Sequence, residues 1–432
     1  MERGANKSGW TLLRNRNFAY LWAGQMISQV GDSLNKVALL WFVYELTGST
    51  LKTTVIGVLQ TIPPLLLGAP IGVFLDRLPK KTVMIWIDLI RAALVMLIPL
   101  LHVFDMLTLP HLYVLVFLIS LFSSVFGPAM ASSIPFLVPR SQLTAANALL
   151  QSTTNIGMLA GPAISGVGIA LVGAQNVFYV NVATFLLSAF CLLPLRLADH
   201  TDYAPARNGT FLADALVGFR FVVSHPMIMA LMIGASLYSM AASAVVFLLP
   251  ALAKSHFHMG AVELGALWSL LGIGMLVASL WLSALGDQDV CARLRIVSTS
   301  LIVGGIAMGG LGLVTWKLIA LCLMVLLGGS LALFTPITWA FLQELAPGAI
   351  VARVLTTFST AAMAASMAGM LLFGWLADVV APGASLIGAG LIFLVTAAVL
   401  RHFGRRYGFP TVASSQITET VSNQSAAGRV KA

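Results

Sequence analysis

Residues 18–46 read FAYLWAGQMISQVGDSLNKVALLWFVYEL, a stretch in which only Asp32, Lys36 and Glu45 carry charge. About 20 apolar residues in a helix cross a bilayer core, so the segment is long enough to span. Its polar residues are not scattered. Gln25, Gln29, Asp32 and Lys36 stand at i, i+4, i+7 and i+11, which at 100° per residue gathers them within about 60° of the helix circumference. Asp32 lies roughly 21 Å from the start of the segment, near mid-span. An ionisable group at that depth costs at least ~2.5 kcal/mol unless it is paired or faces water. The stripe is therefore expected to line a cavity, with Asp32 and Lys36 as candidates for proton coupling and Gln25 and Gln29 as substrate-cavity residues. The plainer alternative is an Asp32–Lys36 ion pair, since acid four positions before base is the favoured helical order.

The rest of the 432-residue chain repeats this character. It is 59% hydrophobic and 9% charged, with a mean hydropathy of +0.95, against roughly 25% charged residues in soluble domains. That excludes a water-soluble fold. Spans are expected at about 18–46, 51–75, 82–104, 111–135, 145–173, 176–196, 226–252, 263–286, 294–315, 317–341, 354–378 and 383–401, an all-α membrane protein of twelve transmembrane helices. The first of these is too long and too polar for a cleaved leader. Cys191, Cys291 and Cys322 are far apart and have no metal-ligand or redox spacing. The net charge of +9 comes without the soluble basic domain that nucleic-acid binding needs. No Walker loop, HExxH or GxSxG is present, so neither an enzyme nor a cofactor is expected.

The cations are distributed unevenly. Nineteen Lys and Arg fall in the tails and in the loops on their side, and only Lys52, Lys254 and Lys317 fall in the loops opposite. The positive-inside bias then places both termini in the cytoplasm, as an even number of spans also requires. Residues 1–17 read as a cytoplasmic tail, 18–196 and 226–403 as two six-helix bundles, 197–225 as a cytoplasmic linker and 404–432 as a disordered cytoplasmic tail. Within the linker, 211–223 reads either as a surface-lying amphipathic helix or as a solvated connection. A shift of 208 residues superposes Phe126 on Phe334, Pro128 on Pro336, Pro139 on Pro347, Gly161 on Gly369, Gly166 on Gly374 and Gly57 on Gly265. Such a register marks a parallel repeat of the kind that builds secondary transporters around a midplane site. The positions equivalent to Asp32 and Lys36 are Met240 and Ala244, which confines the ionisable groups to the first half.

The loop after the second span runs Gly72, Val73, Phe74, Leu75, Asp76, Arg77, Leu78, Pro79, Lys80, Lys81. This GxxxDRxxKK pattern resembles the signature loop of the major facilitator superfamily. The resemblance implies two bundles that alternate access, with Gly72, Asp76, Arg77 and Lys80 latching the halves on the cytoplasmic side. Asp88 and Arg91, at i and i+3 on the third span, are expected to pair with each other or with this loop and to act in gating. Gly31-Asp32, Asp88 to Arg91, Pro128 to Leu149 and Gln343 to Val354 are similar to the drug-proton antiporter group that includes macrolide efflux proteins and the enterobactin exporter. Gly157, Gly161, Pro162 and Gly166 resemble that group's antiporter motif, with Ser165 in place of a usual glycine. Asn147, Gln151 and Asn155 recur at i, i+4 and i+8 on the same helix and offer a second polar stripe toward the cavity. Two features depart from the family pattern: the fourth span lacks the basic residue many proton-coupled relatives carry, and the second signature loop, Gly286 to Arg295, is degenerate.

The resemblance implies an inner-membrane, multi-pass exporter of a small amphipathic compound, driven by protons. The partners expected are a small-molecule substrate, protons and membrane lipid, and a single chain suffices. A lipid or lysophospholipid translocase or a solute importer of the same fold remains open, as does a channel or a non-transporting sensor.

Overall fold

The computed structural model describes residues 9–75, 78–139, 142–196, 220, 222–285, 290–345 and 351–407. A 3-10 turn at Gly9–Arg14 leads into twelve long helices. These are α1 (Arg16–Thr47), α2 (Thr50–Leu75), α3 (Lys80–Val103), α4 (Leu109–Ser133), α5 (Leu143–Val172), α6 (Ala174–Leu192), α7 (Pro226–Ala251), α8 (Ala261–Ala284), α9 (Val290–Leu313), α10 (Lys317–Leu345), α11 (Val351–Val379) and α12 (Pro382–Tyr407). No strand occurs among the described residues. Ten of the helices are long and apolar enough to cross a membrane. α1, diluted by its polar stripe, and α2 complete the twelve.

Local sequence sets where the helices start and stop. The Asn15 side chain accepts from the backbone N–H groups of Asn17 and Phe18 and so caps α1, which ends at Gly48 in the left-handed region, φ 64°. Glycine adopts that conformation without a Cβ penalty. Pro99, Pro128, Pro162, Pro250 and Pro336 all lie inside helices. Spanning helices tolerate this because neighbouring groups satisfy the freed carbonyls.

Packing follows the repeat. In the first half α1 lies against α5 and α6, α3 against α4 and α6, and α2 against α4. In the second half α7 lies against α11 and α12, α9 against α10 and α12, and α8 against α10, the same pattern six helices later. The bundles meet mainly through α5 on α8 and α2 on α11, two pairs that the repeat interchanges. The glycines that are in register in the sequence do equivalent work. A Cβ on Gly161 would lie 2.4 Å from the Ser33 side chain of α1, and one on Gly369 would lie 2.1 Å from the Met240 carbonyl of α7. Small residues here let the spans approach closely.

The expected spans agree with these helices to within a few residues, with four larger differences. α6 stops at Leu192 rather than 196, α9 starts at Val290 rather than 294, α10 runs on to Leu345, and α12 continues through Tyr407. Residues 404–407, expected in a disordered tail, are thus the last turn of a helix, because Arg405 and Arg406 prolong it without a breaker. The linker helix expected at 211–223 lies largely outside the described residues.

Candidate functional site

A cavity of about 360 Å³ lies inside the first bundle. Its walls include Gln25, Ser28, Gln29 and Asp32 of α1, Arg91 of α3, Ser123, Phe126, Gly127 and Met130 of α4, and Asn147, Leu150, Gln151 and Thr154 of α5. The α1 stripe therefore faces a cavity from Gln25 to Asp32. Gln25 is 6% exposed, and its side-chain carbonyl has no partner, which leaves a buried acceptor facing the lumen. Asn147 and Gln151 also line it. Asn155 does not, although it is exposed. Residues four apart drift by about 40° around a helix, so Asn155 is rotated roughly 80° from Asn147. That turn puts it in phase with Pro162, on the face that meets α8.

The Asp32–Lys36 pair, the plainer alternative, is not formed. Both carboxylate oxygens of Asp32 accept from Nη2 of Arg91, at 2.6 and 2.7 Å. The other terminal nitrogen of Arg91 stands 3.7 Å from Asp88 Oδ1, and Asp88 Oδ2 accepts from the Ser188 hydroxyl of α6 at 2.7 Å. The guanidinium lies flat over Phe185, 4.0 Å from the ring centre. One cation thus bridges two carboxylates, and the two differ in access. The Asp32 side chain is 36% exposed and looks into the cavity, whereas Asp88 is sealed at 0%. Arg91, expected among the gate residues, also lines the cavity, and α3 supplies the cation that α4 lacks. The i, i+3 spacing of Asp88 and Arg91 was the available signal; which helix they would meet depends on the register of α3 against α1.

Lys36 leaves Asp32 and crosses to the second bundle, where its ammonium lies over Trp268 and Phe247. A guanidinium outcompetes it for the carboxylate because a planar fork directs several donors at once.

The antiporter-motif residues build two seams. Gly157 and Gly161 fit against α1, where a Cβ on Gly157 would lie 2.8 Å from the Gln29 carbonyl. Gly166 fits against α8, where a Cβ would lie 2.6 Å from the Ala261 carbonyl, and Gly265 reciprocates with 2.5 Å to the Pro162 carbonyl. The motif therefore closes the bundles together on the face opposite the termini. That face carries latches that the sequence reading missed. Asp378, near the end of α11, accepts from the Ser49 hydroxyl and from the backbone N–H groups of Thr50 (2.6 Å) and Leu51 (3.2 Å), so it caps α2 from the other bundle. Lys254 pairs with Glu45 at 3.5 Å and lies over Trp41. Of the signature-loop residues, Asp76 and Arg77 lie outside the described residues, and only the place of Gly72 in α2 is described. Lys80 stands over Phe136, 5.6 Å from its ring centre.

Two repeated six-helix bundles, with a polar cavity inside the first and contacts that latch them together on the face opposite the termini, define a transporter of the major facilitator fold. The sequence profile of a family described as "Transmembrane secretion effector" matches residues 7–422, and the chain belongs to that family. It is similar to macrolide efflux protein A of Streptococcus pyogenes, with 23% identity over 84% of this chain and 89% of that one. The enterobactin exporter EntS of Citrobacter koseri is 30% identical over 65% of this chain and 68% of its own. Among solved structures, the nucleoside transporter NupG superposes with a TM-score of 0.71 at 13% identity, over 89% of this chain and 99% of that one, a likeness of fold alone.

Proposed function

We propose that this chain exports a small amphipathic organic compound, such as a drug, antibiotic or siderophore, from the cytoplasm in exchange for protons, with both termini cytoplasmic. The observation that carries this reading is the Asp32–Arg91 pair, an accessible carboxylate held by a cation on the wall of the first-bundle cavity, while the face opposite the termini is latched. The nineteen-to-three cation bias supports the orientation. The relatives named for macrolide efflux and enterobactin export support the substrate range and the direction.

In this reading the described conformation is inward-facing with Asp32 ionised. Substrate enters from the cytoplasm and lies against Gln25, Gln29, Asn147 and Gln151. The Asp378 and Lys254 latches break, the cytoplasmic side closes, and substrate leaves on the far side. A proton from that side binds Asp32, frees it from Arg91 and rides inward, where Arg91 displaces it. Each charge moved inward supplies roughly 2.3 kcal/mol per 100 mV. A single chain carries the whole path. Proteoliposomes with an imposed pH gradient test the reading: substrate accumulation should follow the gradient and collapse with an uncoupler. Accumulation that ignores both would replace export by antiport with an uncoupled translocase.

A further inference from the structure

One turn beyond Asp32, the Lys36 ammonium reaches across the seam between the bundles. It lies 5.4 Å from the ring centre of Trp268 on α8 and 6.0 Å from that of Phe247 on α7. Among the described residues no carboxylate pairs with it. The nearest one along its own helix, Asp32, is held by Arg91. Lys36 itself is half-buried. Beside it, Trp268 is 6% exposed and its indole N–H has no hydrogen-bond partner. Buried donors are ordinarily satisfied, and a charge at membrane depth normally finds a counter-charge. Here a cation without a carboxylate partner stands against the ring whose own N–H is unsatisfied.

The complement of two donors, one of them cationic, is an oxyanion, and the complement of the two ring faces is a flat apolar body. We propose that Lys36 and Trp268 form an anion-binding subsite at the head of the path, and that the transported compounds carry a carboxylate or phenolate on an aromatic frame. Lys36 supplies the charge, the Trp268 N–H the orienting hydrogen bond, and Phe247 a stacking wall. The substrate class rests on the export reading, but the subsite itself is an equilibrium property that needs no gradient.

Calorimetric binding of 2-naphthoate and 2-naphthamide to the purified full-length chain in detergent tests it. The acid should bind at least tenfold more tightly than the amide. Lys36→Gln should erase that preference and Lys36→Arg retain most of it. Trp268→Phe, which keeps a ring but removes the N–H, should weaken the acid several-fold and leave the amide unchanged. Equal affinities for the pair, no binding of the acid, or a preference that survives Lys36→Gln would overturn the subsite. A preserved preference together with gradient-independent transport would instead retain the subsite and discard proton-driven export.

Discussion

Replacing Arg91 by Met removes the only cation among the described residues that reaches two carboxylates at once. The consequences for the two acids differ. Asp32, with 36% of its side chain exposed to the cavity, regains water and loses little. Asp88 is fully buried and keeps only the Ser188 hydroxyl at 2.7 Å. Breaking a buried pair by removing one partner costs about 3–5 kcal/mol, most of it the penalty of the charge left behind. Arg91→Met should therefore lose that much stability at alkaline pH, where the orphaned Asp88 cannot relieve the penalty by taking up a proton, measured by reversible unfolding in mixed micelles titrated with SDS. Because the penalty resides on Asp88, adding Asp88→Asn to Arg91→Met should recover most of it, giving a coupling energy of a few kcal/mol in the double-mutant cycle. Adding Asp32→Asn instead should recover almost nothing. A single variant within about 1 kcal/mol of wild type, or a rescue by Asp32→Asn rather than Asp88→Asn, would refute the assignment of Asp88 as the sealed member, since neighbours in one network are expected to couple by 0.5–3 kcal/mol.

Gly161→Leu forces α5 off α1, where a Cβ already meets Ser33 at 2.4 Å. Overpacking of this kind costs about 1–3 kcal/mol, and the same assay should register it while Gly127→Leu, with open space around it, stays near neutral. Asp378→Ala uncaps α2 and should widen the distance between spin labels at Thr47 and Val380, shifting the population toward an outward-open form; an unchanged distance distribution would remove Asp378 from the latch. Glu45→Gln breaks an exposed ion pair and should cost no more than about 1 kcal/mol, so its effect on the same distance should be much smaller than that of Asp378→Ala.

The twelve helices were legible because apolar length is a one-dimensional property. The repeat was legible because glycines at helix contacts tolerate no side chain, so Gly57, Gly161 and Gly166 keep their register with Gly265, Gly369 and Gly374. The α1 stripe was legible for the same reason as any helical face. The partner of Asp32 was not, because local spacing favours Lys36, while the bond to Arg91 depends on how α3 is placed against α1. Asn155 shows the limit of an i, i+4 rule, which drifts out of phase after two steps. Asp378 and Glu45 carried no local signal at all: each makes its contact with the other half of the chain, and nothing near either residue in the sequence marks it.

The most direct measurement follows protons rather than substrate. In proteoliposomes with a trapped pH indicator and the membrane potential clamped, an outward gradient of a compound that the chain accumulates under a pH gradient should drive protons the opposite way through the wild-type chain. Asp32→Asn should abolish that proton movement while leaving downhill flux of the same compound measurable. Proton movement of undiminished size through Asp32→Asn would contradict the central role given to this carboxylate.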